Sequence, residues 1–266
     1  MSRFFLQRNR EDAGIHIPPP AINIYELEKD VVNYAKQYKA EQDIRNAAAL
    51  VLENGETHSF LYLLEIILRE RQAMTWPAGI TLRDPETKEI IAQCDVEESQ
   101  KVDEACDLLN ELMEEEQRVI VFSKFKAPLY EMHNRFAKEH KSVLATGDQP
   151  HHVHEMVRRD FDLKTAPEEP RWNICFATYG VFSEGQNLNA ARHVILLDDE
   201  WNPGMEDQAI GRIDRMNSTD QANVHIFRVK DSIDDFMAKI IEMKKNLTDE
   251  FNEEFDQNTL LDHLRG

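Results

Sequence analysis

The segment DQAIGRIDR, residues 207–215, places polar and basic side chains at a helical spacing. Gln208, Arg212 and Arg215 occupy positions i, i+4 and i+7, which form one stripe along a helix. Gly211 costs about 1 kcal/mol of helix propensity relative to alanine, so a packing or functional reason for the glycine is expected. Guanidinium groups bind phosphate oxygens in a fixed bidentate geometry. The segment therefore predicts an anion-binding helix; the alternative is a solvated helix face whose arginines pair with neighbouring acidic side chains.

The net charge of −19 over 266 residues is concentrated in two segments. Residues 95–116 carry ten acidic side chains and one lysine, and residues 246–262 carry six acidic side chains and no basic one. These segments contribute −9 and −6, which leaves −4 for the rest of the chain. The charge excludes a broadly basic surface for nucleic acid, whereas a local phosphate-binding surface remains compatible with it.

Length and composition are those of a soluble protein with one large domain or two small ones. No stretch approaches the roughly 18 consecutive apolar residues of a membrane span, and the first residues lack the apolar core of a secretory signal. Cys94, Cys106 and Cys175 lie far apart, which favours a reducing compartment and disfavours a zinc ribbon. We expect a cytoplasmic or nucleoid-associated protein with no membrane partner.

The hydrophobic pattern changes near residue 100. Before it, two helical patterns (Leu27 to Leu52, and residues 59–74) precede a hairpin-like segment at residues 79–95. After it, amphipathic helices alternate with five short apolar runs: RVIVF, SVLA, WNICFA, HVILLD and NVHIFRV. This alternation predicts an α/β fold, with a parallel sheet covered by helices on both faces. We divide the chain into three parts: residues 1–98, mostly helical; residues 99–245, the α/β lobe; and residues 246–266, an acidic helix or tail.

The residues that follow each predicted strand are candidates for ligand binding, because ligands of parallel sheets collect at the carboxyl ends of the strands. These segments read SKFK, TGD, TYGVFSEGQN and DDEWNPG. Their hydroxyl, glycine and lysine groups can present N–H groups and positive charge to phosphates. The same residue types are also the usual turn formers, so each segment alone is compatible with a structural role.

Several of these segments occur together in one family. QAIGRIDR resembles the last motif of superfamily-two helicases, Q-x-x-G-R-x-x-R. The run from SEGQNLN through DDEWNPG to that motif looks like the corresponding run of Swi/Snf-type ATPases, and RVIVFSKF resembles the start of their second RecA-like lobe. The resemblance implies the C-terminal RecA-like lobe, with an N-terminal, mostly helical insertion region, of a DNA translocase or helicase.

The resemblance also implies roles for individual residues at ATP. Arg215 would be an arginine finger, Arg212 a second contact to the γ-phosphate, and Gln208 the residue that aligns them. The residues expected on the nucleotide side of the cleft are Glu184, Gly185, Asn187 and Gly211.

A second set of residues would contact the DNA backbone, by the same resemblance. This set comprises Ser123, Lys124, Thr146, Gly147 and Thr178. Trp201 would couple the DNA-facing loops to the ATP-facing loops, and a plain core tryptophan is the alternative.

The sequence contains no G-x-x-x-x-G-K-S/T phosphate loop. VILLDDE could be read as a magnesium-binding acidic motif, but its position matches the Trp-Asn-Pro motif of the second lobe. We therefore expect ATP with Mg²⁺ whose protein ligands lie on a separate P-loop lobe, present in cis or in trans, and no metal site in this chain. HHVHE, residues 151–155, is interpreted as a solvated helix start.

The expected function is the second motor lobe of an ATP-dependent translocase acting on double-stranded DNA. The chain would then be a truncated form or the product of a split gene, and inactive in isolation. Two alternatives remain open: a non-catalytic RecA-like module that binds DNA or a protein partner, and a lobe of an RNA-dependent motor.

Overall fold

The computed structural model describes residues 19–53, 60–182, 187–200, 203–213 and 221–246. The described strands are Ala21–Leu27 (β1), Ile80–Arg83 (β2), Ile90–Cys94 (β3), Val119–Ser123 (β4), Ser142–Ala145 (β5), Ile174–Thr178 (β6), His193–Leu196 (β7) and Asn223–Val229 (β8). The described helices are Ala35–Glu53 (α1), Phe60–Thr75 (α2), Gln100–Glu114 (α3), Lys126–Phe136 (α4), His151–Phe161 (α5), Pro203–Ile213 (α6) and Ile233–Asn246 (α7). No helix in these ranges is both long and apolar enough to cross a membrane.

Six strands form one parallel sheet in the order β1-β8-β7-β4-β6-β5. This arrangement confirms the predicted α/β fold, and all five apolar runs predicted as strands belong to the sheet. The central strand β4 is buried along its whole length, as expected for a strand covered on both faces. Because the strands are parallel, they all end at one edge of the sheet, which we call the carboxyl edge.

The two faces of the sheet are covered by different helices. Ile120 and Phe122 of β4 pack on one face, in a cluster that includes residues of α5 and α6. Val119 and Val121 point to the other face and pack with residues of α3 and α4. The alternation along β4 thus places one layer of helices on each side of the sheet.

Strand β1 differs from the prediction. The segment from Leu27 was expected to begin a helix, whereas residues 21–27 pair in parallel with β8 and α1 begins only at Ala35. Burial alternates along AINIYEL, but Ile22 and Ile24 lie on the exposed side, so the hydrophobic pattern of the segment lacks the period of two of a half-buried strand. Pairing with β8 favours the extended conformation here. The sheet therefore includes residues on both sides of the boundary predicted at residue 98.

Residues 28–99 form an insertion between two parts of the sheet. The predicted hairpin is present: β2 and β3 are antiparallel, and the Asp84 carboxylate accepts hydrogen bonds from the amides of Glu86 (2.8 Å) and Thr87 (2.7 Å). The core of the insertion includes Ile66 of α2 and extends to Met237 of α7. Helix α7 was not predicted, and it joins the insertion to the lobe. The predicted tail continues beyond Asn246 outside the described residues.

Candidate functional site

The carboxyl edge brings together the strand ends at which DNA contacts were predicted. Ser123 of β4 is in register with Thr178 of β6, and Ala145, which precedes Thr146, is in register with Ala177. Lys124 and Gly147 are exposed, and Thr178 is half-buried. Three of the five predicted DNA contacts therefore lie at the surface of this edge.

The other two predicted DNA contacts have buried side chains. The Ser123 hydroxyl donates a hydrogen bond to Asp198, and the Thr146 hydroxyl donates one to Gln149 Oε1 at 2.7 Å. The Asp148 amide donates to the Thr146 hydroxyl at 3.3 Å. In this structure the two hydroxyl groups are therefore not placed for the phosphate contacts predicted for them. They hold the turns that present Lys124 and Gly147.

Asp198, which follows β7, organises the loop after β4. Its carboxylate accepts hydrogen bonds from the Ser123 hydroxyl and from the Lys124 amide, at 3.0 Å to Oδ1 and 3.2 Å to Oδ2. The Tyr179 hydroxyl donates to the Asp198 carbonyl at 2.6 Å. Burial raises the pKa of the Asp198 carboxyl, and the nearby Arg71 guanidinium and the bonds from Ser123 and Lys124 oppose that rise.

The next two acidic residues also have partners within the chain. Arg228 of β8 donates to both oxygens of Asp199, at 2.9 Å each. Lys124 Nζ lies 3.2 Å from Glu200 Oε1. All three carboxylates of residues 198–200 are thus engaged by protein groups, as expected for a structural segment rather than for a magnesium site. The described residues contain no group of three or more His, Cys, Asp or Glu placed to hold a metal ion.

The HHVHE segment begins helix α5. His151 and His152 are exposed, and His154 Nε2 lies 2.9 Å from the Thr146 carbonyl oxygen. His154 therefore helps to hold the turn that presents Gly147.

Among the residues predicted to line the nucleotide, Asn187 lies beside the C-terminal end of α6. The amide of Leu188 donates to the Arg212 carbonyl at 3.0 Å, and Asn187 is half-buried next to this bond. A Cβ added at Gly211 would meet no described atom within 4 Å, so packing inside the described chain does not explain the glycine.

The predicted stripe on α6 contains one exposed and one buried side chain. Gln208 is exposed, whereas Arg212 is only 5% exposed because it lies near the face of α6 that carries Ala209 and Ile213 into the core. The predicted display of the Arg212 guanidinium toward a phosphate is therefore not observed in this structure. Four further predicted residues lie outside the described residues: Glu184, Gly185, Trp201 and Arg215.

Sequence reasoning missed Arg71, whose guanidinium reaches the carboxyl edge from α2. Its Nη2 donates to the Asp199 carbonyl and lies 4.0 Å from Asp198 Oδ1. Arg71 and Asp199 are 128 residues apart in the sequence, and no local sequence pattern predicts their contact. The one available signal was an arginine in a helix apolar enough to be buried on most sides.

Residues 100–217 match the family described as the helicase conserved C-terminal domain. These residues, 118 of the 266 in the chain, resemble a helicase C-terminal domain. The matched segment contains the predicted strand-end loops and the whole of α6, and it begins at the first residue of α3. The matched segment thus contains four of the six strands of the parallel sheet, β4 to β7, together with the DQAIGRIDR segment.

The chain is also similar to larger proteins and to solved lobes. It is 32% identical over 137 residues to the DNA repair protein RAD5 of Saccharomyces cerevisiae, which covers 51% of the chain but only 10% of RAD5. The C-terminal part of the Fun30 ATPase domain superposes with a TM-score of 0.67 at 17% identity, covering 94% of this chain and 97% of that one. The SWI2/SNF2 ATPase core of Sulfolobus solfataricus in complex with double-stranded DNA superposes with a TM-score of 0.62 at 18% identity, covering 91% and 48%. The fold is therefore the RecA-like fold of Swi2/Snf2 C-terminal lobes.

Proposed function

We propose that this chain is the second motor lobe of an ATP-dependent DNA translocase or helicase of the Swi/Snf type. The observation that carries the proposal is a helicase C-terminal domain whose carboxyl edge presents Lys124, Gly147 and Thr178 side by side. The names of its relatives support it: one is a DNA repair protein, and the two similar lobes belong to ATPases, one of them bound to double-stranded DNA. The chain spans about a tenth of RAD5, so the activity belongs to a larger assembly of domains.

At the DNA, the surface residues of the carboxyl edge would contact phosphates. The Lys124 ammonium supplies charge, and the exposed Gly147 allows a phosphate to approach the backbone. Ser123 and Thr146 act indirectly, through the turns that they hold. Contacts of this kind bind a strand without reading its sequence, as movement along DNA requires.

At the nucleotide, Arg215 would be the arginine finger. Negative charge spreads over the γ-phosphoryl oxygens in the transition state, and a guanidinium neutralises that charge bidentately. Gln208 would align the finger, and Glu184, Gly185, Asn187 and Gly211 would line the nucleotide side. Arg212 is buried here, so its contact with the γ-phosphate would require exposure at the cleft, and the proposal depends chiefly on Arg215.

The phosphate loop and the magnesium ligands would be supplied by the other lobe, in cis or in trans. The carboxylates of residues 198–200 do not fit that role, because each is engaged by a side chain or amide of this chain. When bound, ATP with Mg²⁺ supplies the phosphoryl group whose transfer to water drives movement. Trp201 would couple the two surfaces, and closure of the cleft would convert hydrolysis into steps along the duplex.

The alternative of a non-catalytic module that binds DNA or a partner is favoured by one observation: the sequence lacks a phosphate loop. Steady-state ATP turnover separates the two functions. We expect negligible turnover by the purified chain, and DNA-stimulated turnover once the chain is combined with its P-loop lobe. Robust turnover by the chain alone that Arg215→Ala abolishes would contradict the proposed division of the active site. Absence of turnover from the combined lobes would favour the binding module, and stronger stimulation by double-stranded RNA than by DNA would favour an RNA motor.

A further inference from the structure

Arg71 is a buried cation that connects the insertion to the carboxyl edge. It belongs to α2 and is 5% exposed, and the Asp198 carboxylate that it faces is 3% exposed. Its Nη2 donates to the Asp199 carbonyl and lies 4.0 Å from Asp198 Oδ1. A guanidinium is charged and carries five N–H donors, so it is costly to bury without acceptors. The burial of Arg71 at this place therefore holds α2 against the segment that follows β7.

The segment contacted by Arg71 also holds the loop that carries Lys124. Asp198 accepts the Lys124 amide and the Ser123 hydroxyl, while Glu200 binds the Lys124 ammonium. Residues 198–200 therefore contact the insertion on one side and both the backbone and the side chain of Lys124 on the other.

Arg71 also balances the charge of a buried carboxylate. Loss of a cationic partner leaves a buried charge uncompensated, which is costly. Asp198 would then either take up a proton or move toward water, and both changes weaken its bonds to the Lys124 amide. Burial raises the pKa of this carboxyl and the Arg71 guanidinium opposes that rise, so loss of Arg71 raises the pKa further.

We propose that Arg71 is a positioning residue that transmits the placement of the helical insertion to the DNA-contacting loop at Ser123 and Lys124. Arg71 itself does not reach DNA, because it is buried behind residues 198–200. The inference rests on the proposed function for its effect on DNA, whereas the coupling between Arg71 and the Lys124 amide is a property of this chain alone.

The first test measures amide hydrogen exchange at Lys124 in the full chain. Arg71→Met removes the charge at similar length, and we expect exchange of the Lys124 amide to accelerate about tenfold or more. Arg69→Met is the matched control, because Arg69 of the same helix donates hydrogen bonds to Glu65 (3.3 Å) and Gln72 (3.2 Å), which both lie on α2. Arg71→Lys keeps the charge and should restore part of the protection; if Arg71→Met does not fold, Arg71→Lys against Arg69→Lys decides. Equal exchange at Lys124 in the Arg71 and Arg69 variants would overturn the proposal.

The second test is a double-mutant cycle on duplex affinity, with the P-loop lobe present. We expect Arg71→Met and Lys124→Ala each to weaken binding by about 3- to 10-fold, and the double variant to bind about as well as Lys124→Ala alone. Additive losses would overturn the proposal, because they would mean that Arg71 acts independently of Lys124. A wild-type protein that does not bind duplex DNA would refute the proposed function, and the exchange experiment would still decide the role of Arg71.

Discussion

At the scale of single residues, the side chains predicted to contact DNA at the carboxyl edge are either exposed or buried. Lys124 is exposed, with its ammonium 3.2 Å from Glu200 Oε1, whereas the hydroxyl groups of Ser123 and Thr146 are used inside the fold. A buried hydroxyl that already has a partner gains nothing from a phosphate, because the internal bond would have to break first. The proposed DNA contacts at this edge are therefore limited to the exposed residues.

Lys124→Ala is expected to weaken duplex binding by about 3- to 10-fold at low salt, because the variant loses one ammonium that can neutralise a phosphate. The slope of log affinity against log salt concentration should fall by about 1. Fluorescence anisotropy with a labelled duplex at several salt concentrations measures both quantities.

Lys141→Ala provides the matched control for that experiment. Lys141 is exposed, pairs with Glu169 at 3.0 Å and immediately precedes β5, so it lies at the opposite edge of the sheet. An equal loss of affinity and salt dependence in both variants would mean that binding is not localised at the carboxyl edge.

The site could be predicted from sequence only in part. Lys124 and Gly147 were identifiable because polar residues follow apolar runs of the right length, and the ends of parallel strands meet at one edge. The burial of Ser123 was not predictable, because serine after a strand is a usual turn residue as well as a possible ligand contact. Arg71 was not identifiable either, because its partners come from a distant part of the chain that only the fold brings close.

At the scale of elements, strand pairing overrides local pattern at β1. Residues 21–27 alternate in burial, but the residues after them continue with apolar side chains at helical spacing. No local sequence feature separates the strand from the helix that follows it. The parallel partner β8, about 200 residues away, makes the extended conformation favourable. By contrast, the long buried helix α2 and the strands β4, β6 and β7 were predictable, because their apolar patterns are continuous.

Three neighbouring strands contribute side chains to a part-buried polar chain on the α3 side of the sheet, in which His225 is buried and Tyr25 and His193 are half-buried. The Tyr25 hydroxyl lies 3.1 Å from His225 Nδ1, and His225 Nε2 lies 3.0 Å from His193 Nδ1. Burial lowers the pKa of His225 to about 4, with a further contribution from His193, and burial also lowers the pKa of His193, against the effect of Glu115. Both histidines are therefore neutral in the folded protein near neutral pH.

The lowered pKa of His225 predicts that the folded protein loses stability in mild acid. Between pH 6.5 and about 4 the unfolded chain binds a proton at His225 that the folded protein does not, so the free energy of unfolding falls as the pH falls through this range. Above pH 6.5 the contribution is fully retained. His225→Asn should reduce the slope of unfolding free energy against pH by up to about 1.4 kcal/mol per pH unit.

Urea unfolding at several pH values measures that slope. His152→Asn is a suitable control, because His152 is exposed on α5. An unchanged slope in His225→Asn would mean that the buried histidine pair does not govern acid sensitivity.

At the scale of the whole molecule, the insertion lies in the chain between two strands that pair in the sheet. Strand β1 precedes the insertion in the chain and pairs with β8, which follows it, while the core of the insertion continues into α7. The contact between Arg71 and the segment after β7 crosses the same junction. The insertion is therefore placed to influence the carboxyl edge.

The first acidic segment is separated from the helix that carries the proposed nucleotide contacts. Residues 100–114 of the first acidic segment form α3, whose apolar side packs on the sheet face opposite to α5 and α6. The second acidic segment lies almost entirely outside the described residues. A net charge of −19 is thus compatible with phosphate binding at α6 and at Lys124.

The central claim is that this chain supplies an arginine to an ATP molecule whose phosphates another lobe binds. The most direct measurement is DNA-stimulated ATP turnover by the combined lobes carrying Arg215→Ala, with duplex affinity measured on the same preparation. We predict that turnover falls by about 10³-fold or more while duplex affinity changes by less than about twofold. Turnover at the wild-type rate, or a parallel loss of turnover and DNA binding, would contradict the claim.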